Sequence, residues 1–179
     1  MAAILAFAGS NSSTSINYQL VQYTASQIEG HDHDVRLLNM TGYPFPMFSE
    51  DDEKQKGYSN SLVELKNDIQ QADALLLSVN EHNGNLSAYF KNVLDWLSRL
   101  ERKFLENTKV FLMATSPGKR GGIGSLEATQ NMLPRFGAEI VSTFSLPSFH
   151  ANFGEGTIQD ENLKAEHQSA LNAFLETLK

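Results

Sequence analysis

Five apolar runs of strand length, residues 2–8, 34–38, 73–79, 109–115 and 139–144, punctuate the chain, and the stretches between and after them carry helical stripes. The first, third and fourth runs are apolar almost throughout, as strands covered on both faces are. The intervening stripes, Leu20/Val21/Ala25/Ile28, Leu62/Leu65/Ile69, Phe90/Val93/Leu94/Leu97 and Ile123/Leu126/Leu133/Phe136, repeat every three or four residues. A last helix carries Leu163, Ala170, Leu171, Phe174 and Leu178. Strands that alternate with helices call for a parallel sheet, and right-handed crossovers put helices on both of its faces.

With five strands, the expected fold is an α/β, flavodoxin-like three-layer sandwich of strand order 2-1-3-4-5, one domain over residues 1–179. At this length roughly 70% of the unfolded chain's surface is buried on folding, so the core needs no staple. None is on offer: there is no cysteine, which excludes disulfides, thiolate metal sites and cysteine nucleophiles. Redox chemistry then requires a cofactor. The net charge of −7 argues against a nucleic-acid or anionic-membrane surface. Ala6-Phe7-Ala8 mimics a signal-peptidase site, but no cation precedes it and the apolar run is short, so a cytoplasmic protein is expected. His31 and His33 flank Asp32, a pattern read as a solvated turn, and no metal site is expected. Thr41 to Gly57 reads as one long irregular loop, pinned by Tyr43, Phe45 and Phe48 and ending in a solvated acidic tip.

Function in such a sheet belongs to the loops after strands one, three and four, because ligands bind outside the carboxyl ends at the switch point. The first loop, Gly9 to Asn17, is a run of small hydroxyl and amide residues that passes into a helix. Glycine for the turn, free N–H groups and a helix N-terminus make an anion site, although plain capping by Ser13 or Ser15 gives the same composition. It lacks the glycine pattern of a dinucleotide site and the Gly-Lys-Ser/Thr of a triphosphate site, which leaves a terminal phosphate monoester. The third loop, Asn80-Glu81-His82-Asn83-Gly84-Asn85, and the fourth, Ser116-Pro117-Gly118-Lys119-Arg120-Gly121-Gly122, are dense in hydrogen-bonding groups and contain no Trp, Tyr or Phe. Phosphate at one end and a flat ring between two polar loops describe FMN.

These loops, together with Phe90-Lys91-Asn92-Val93-Leu94-Asp95-Trp96-Leu97-Ser98, resemble the NADPH-dependent FMN reductase family over roughly residues 1 to 145. The resemblance implies that Ser10, Ser12, Ser15, Ile16 and Asn17 hold the FMN phosphate. It places the ring on Asn80, Glu81, His82 and Asn83 and on Ser116, Pro117 and Gly118, with Arg120 and Gly121 completing the fourth loop. It also implies hydride transfer from NADPH or NADH through FMN to a flavin, quinone or similar small acceptor, in a homodimer or homotetramer. Two positions depart from the family. Ser12 stands where many members have Arg, and His82 where a ring-stacking Tyr is common, which makes His82 a candidate for positioning or proton delivery. Lys119 and Arg120 are read as partners for a 2′-phosphate.

Two other readings stay open on the residues alone, an electron-carrying flavodoxin and a flavin-binding sensor without turnover. The unshielded ring loops favour an enzyme, because a stacked nicotinamide needs an open face. A dimer is expected from a second stripe, Tyr89/Val93/Trp96/Leu100, which widens the apolar arc beyond one sheet-packing face and requires a cover.

Overall fold

In a computed structural model of the chain, which describes residues 1–28 and 32–179, the five runs form strands β1 (Ala3–Ala8), β2 (Asp34–Leu38), β3 (Ala74–Val79), β4 (Lys109–Thr115) and β5 (Glu139–Leu146). They pair in parallel in the order β2-β1-β3-β4-β5. The sheet is flavodoxin-like, as the alternation predicts.

Successive strand residues point to opposite faces, and the core divides accordingly. Ile4, Ala6, Leu76, Phe111 and Met113 face α1 (Ile16–Ile28) and the last helix, with Leu20, Val21, Ile28, Leu171 and Phe174 as its buried partners. Leu5, Phe7, Leu75, Leu77 and Leu112 face the other layer. There they meet Leu62, Leu65 and Ile69 of a helix at Asn60–Gln71, Phe90, Val93 and Leu94 of one at Ala88–Leu100, and Leu126 of one at Ile123–Met132.

The long loop is the first correction. Met40–Gly42 forms a 3₁₀ turn and Glu50–Lys56 forms a helix, α2. Four acidic residues in its first turn and Lys54 and Lys56 in its last complement the helix dipole, and Ser49 Oγ accepts from the Asp52 N–H. With α2 counted, the helices named above become α3 (Asn60–Gln71), α4 (Ala88–Leu100), α5 (Ile123–Met132) and α6 (Glu161–Glu176). The expected stripe through Phe136 is broken too: α5 stops at Met132, and Leu133–Phe136 continues as a 3₁₀ turn carrying Pro134, which lacks the N–H an α-helix needs.

The second correction concerns the wide apolar arc of α4. Trp96 is 5% exposed within the single chain. Its indole N–H donates to the Pro46 carbonyl at 2.8 Å, and the rings of Phe48 and Tyr58 meet it edge-on. The Tyr89 hydroxyl reaches the Met40 and Tyr43 carbonyls, and the Asn92 amide donates to Pro46 while its oxygen accepts from Phe48. Residues 40–58 therefore cover the stripe that was to be covered by a second chain, and the dimer expectation loses that argument. His31 lies outside the described residues. His33 Nδ1 accepts from the Ala2 N–H, and among the described residues no group of three or more His, Asp or Glu is placed to hold a metal. No helix among the described residues is long and apolar enough to cross a membrane.

Candidate functional site

The carboxyl ends of β1, β3 and β4 open onto a cavity of about 220 Å³ lined by Ser10, Ser12, Thr14, Ser15, Ile16, Asn17, Asn80, Glu81, His82, Thr115, Ser116 and Pro117. A larger hollow of about 570 Å³ lies at the opposite edge of the sheet, around Ala2, Asp73 and Lys109 where strands begin. In open α/β sheets the ligand end is the carboxyl end, so the smaller cavity is the site.

The end of the cavity expected to take the phosphate is built from local turns. The Ser12 carbonyl accepts from Ser15 N–H at 3.2 Å, folding the loop back before α1 begins. Ser15 Oγ then accepts from the Tyr18 N–H at 3.1 Å, so Ser15 is the helix cap, and its own O–H is left to donate elsewhere. The N–H groups of Ile16 and Asn17, in the first turn, have no intrahelical acceptor and point out of the helix end. Ser10 Oγ accepts from Ser12 N–H, and Ser12 Oγ meets Thr14 Oγ1. The result is a cradle of hydroxyls and helix N–H groups without a basic side chain, suited to a small anion through hydrogen bonds and the helix dipole. Gly9 serves it for a reason other than the expected turn: a Cβ there would stand 2.7 Å from the Phe90 ring, so the glycine lets α4 pack under the loop.

Asn17 lines the cavity and has a second role inside the protein. Its side chain is 2% exposed and bonds inside the protein through both its oxygen and its nitrogen. Oδ1 accepts from Thr115 N–H at 3.0 Å and from Ser78 Oγ at 2.7 Å, and Nδ2 donates to the Thr115 carbonyl at 3.1 Å. One amide thus locks the start of α1 to the ends of β3 and β4, while its backbone N–H remains for an anion.

The end expected to take the ring is lined by Asn80, His82, Ser116 and Pro117. Asn80 Oδ1 is buried without a hydrogen-bond partner among the described residues, while its amide nitrogen sits 3.4 Å from His82 Nε2. A buried acceptor with no donor is costly, and a donor edge on a ligand relieves that cost. After Asn80 the chain makes a hairpin, Glu81–His82 against Asn85–Leu86, with Asn83 and Gly84 in left-handed conformation at its tip.

Glu81 lines the cavity, but its carboxylate bonds to the protein: Oε2 accepts from Ser125 N–H at 3.1 Å. Asn83, Gly118, Arg120 and Gly121 lie outside the lining. The Gly118 carbonyl accepts from Gly121 N–H and Ser148 N–H, and the Gly121 carbonyl from Ser145 Oγ, so these residues shape the fourth loop. Arg120 is exposed beside Lys119. Thr14 and Thr115 also line the site, and sequence reasoning missed both. Thr14 falls inside the hydroxyl run and was legible there; Thr115 ends a strand and carried no signal.

The model of the family described as NADPH-dependent FMN reductase matches residues 2–151. A quinone reductase of Escherichia coli is 31% identical over 77 residues, a match spanning 43% of this chain and 41% of that protein's length. An NADH:(hydroxy)cinnamate reductase subunit, CrdA, of Vibrio ruber is 26% identical over 96% of this chain and 84% of its own. Among solved structures, the flavoenzyme NAD(P)H:(acceptor) oxidoreductase FerB of Paracoccus denitrificans superposes with a TM-score of 0.79 at 23% identity, covering 98% of this chain and 96% of its own.

Proposed function

From the premise that the chain belongs to the NADPH-dependent FMN reductase family, we propose that it binds FMN at the carboxyl edge of the sheet and passes hydride from NAD(P)H to a small acceptor of the quinone class. The observation that carries this reading is one cavity that joins an anion cradle of hydroxyls and helix N–H groups to a buried acceptor at Asn80 that has no donor among the described residues. When bound, FMN supplies the hydride chemistry, so no side chain has to react. The protein's part is to hold and orient. Ser10, Ser12 and Ser15 hydroxyls and the Ile16 and Asn17 N–H groups take the phosphate, while Asn80 and the Ser116–Pro117 turn take the polar edge of the ring. His82, exposed in the lining, is positioned to give a proton to the reduced acceptor.

An enzyme fits better than an electron carrier because no Phe, Tyr or Trp lines the cavity. At about 220 Å³ the cavity is also smaller than pockets that enclose a cofactor of this size, so one face of the ring stays open to a stacked nicotinamide. Exposed Lys119 and Arg120 are the only Lys or Arg residues in the three loops of the site, and this reading assigns them to the 2′-phosphate of NADPH.

The test is steady-state oxidation of NADPH and NADH by FMN-loaded protein with a quinone acceptor. Parallel double-reciprocal lines with preference for NADPH are expected. A flavin that binds but is never reduced by either nucleotide would overturn the enzyme assignment and favour a carrier or sensor.

A further inference from the structure

Helix α5 begins without a cap of its own. Its N-cap position is Gly122, in left-handed conformation at φ 76, which offers no side chain to the first-turn N–H groups. The Ser125 N–H would stand unpaired in a part-buried position. What meets it is Glu81 Oε2, from a residue 44 positions earlier on the other ring loop. The negative carboxylate also sits at the positive end of the α5 dipole, where a charge-assisted bond is strongest.

The rest of the joint is shaped around that contact. A Cβ on Gly124 would stand 2.5 Å from the Gly84 carbonyl oxygen and 2.7 Å from Glu81 Oε2, so α5 approaches the hairpin as closely as a backbone can. Ser125 Oγ bonds the Gly122 carbonyl at 2.9 Å and reaches the Val79 carbonyl at the end of β3. The hairpin Glu81–Leu86 and the loop Ser116–Gly122 are thereby joined through the first turn of α5.

We propose that Glu81 is a positioning residue, a long-range helix cap that sets the spacing of the two loops between which the flavin ring lies. This rests on the FMN reading above. It gives the Glu81 carboxylate a role in addition to the expected place of Glu81 in the cofactor site. Because the joint lies at the ring end, loosening it weakens FMN and riboflavin alike, whereas damage at the phosphate cradle weakens FMN only.

The experiment uses four full-length proteins, wild type, Glu81→Gln, Glu81→Ala and Gly124→Ala, each confirmed folded by its far-ultraviolet circular dichroism. Three readouts are taken: amide exchange of Ser125 without flavin, affinity for FMN and riboflavin, and the visible circular dichroism of bound FMN. Glu81→Ala should speed Ser125 exchange and weaken both flavins by about tenfold, the effect of losing one charge-assisted bond. Glu81→Gln keeps an acceptor for the N–H and should keep most of the affinity. Gly124→Ala, which leaves Glu81 in place but forces the hairpin away, should match Glu81→Ala in affinity and in the altered dichroism band.

Unchanged Ser125 exchange and unchanged flavin affinity in Glu81→Ala would overturn the proposal while leaving FMN binding intact. Wild-type protein that binds neither flavin, yet loses Ser125 protection in Glu81→Ala, would instead overturn the FMN reading.

Discussion

At the floor of the cavity Asn17, Ser78 and Thr115 are buried and bonded to one another across three elements. In helix α2, within the strap of residues 40–58, the charged groups stand near the surface and are held in ion pairs. Asn17, Ser78 and Thr115 belong to the first kind, three residues from α1, β3 and β4 closed into one network. Helix α2 belongs to the second: it buries no residue and is held by Lys54–Glu50 at 3.8 Å, Lys56–Asp52 at 2.7 Å and Arg99–Glu53 at 2.9 Å. The difference teaches where rigidity resides. Buried amides that lose a partner leave another buried group orphaned, while exposed ion pairs fall back on water. The cavity floor is therefore the rigid part, and the strap is the part that opens locally.

The largest effect that would break this comparison comes from Asn17→Leu. It removes three side-chain bonds and orphans groups on Ser78 and Thr115, a loss on the order of 4 kcal/mol that urea unfolding would measure. A loss near zero would mean that the network is not what holds the three elements together.

The next effect sharpens the comparison with a buried group remote from both regions. His167 is 0% exposed among Tyr23, Phe111 and Phe144, its Nε2 is 2.8 Å from Thr24 Oγ1, and its Nδ1 has no partner among the described residues. Burial lowers its pKa from 6.5 to about 4. The unfolded chain takes up a proton below pH 6.5 that the folded chain refuses until about pH 4. Stability is therefore lost as pH falls through that window, by about 3 kcal/mol in full. His167→Leu should flatten the slope, and Thr24 keeps its bond to the Leu20 carbonyl at 2.9 Å. A slope that survives the substitution would assign the acid loss to other groups.

The strap supplies a smaller acid-sensitive term of different origin. Hydrogen bonds from Arg99 and the Tyr58 hydroxyl hold the Glu53 carboxyl below its usual range, so its contribution is present above that range and lost as pH falls through the lowered value. Arg99→Gln should leave global unfolding nearly unchanged and speed trypsin cleavage at Lys54 and Lys56. Cleavage at the wild-type rate would show that the aromatic contacts of Phe48 and Tyr58 with Trp96 hold the strap by themselves. Smallest of all is Lys91→Ala, which breaks an exposed pair with Asp95 on α4 and should shift stability by no more than about 0.5 kcal/mol.

The same contrast explains what the sequence revealed. β1, β3 and β4 were legible because strands buried on both faces must be apolar throughout, and the hydroxyl-lined start of α1 because a run of small hydroxyl residues before a helix caps and lines its N-terminus. Helix α2 was hidden because no apolar stripe supports it; its signals are a cap at Ser49 and charges ordered along the dipole. The roles of Asn17 and Glu81 were hidden for another reason. Residue type marked both as polar and near the site, but their partners lie 98 and 44 positions away, a distance only the folded chain closes. The covered face of Trp96 was misread on the same ground, since its cover comes from a segment that looked like loop.

The most direct measurement is calorimetric titration of wild type and Ser15→Asp with FMN and with riboflavin. The account predicts one saturable FMN site per chain in wild type. In the variant, a carboxylate set against the phosphate should cost on the order of 2 kcal/mol, at least tenfold in FMN affinity, while riboflavin is little affected. Equal losses for both ligands would contradict the placement of the phosphate at the start of α1, and the absence of any saturable FMN heat in wild type would contradict the cofactor itself.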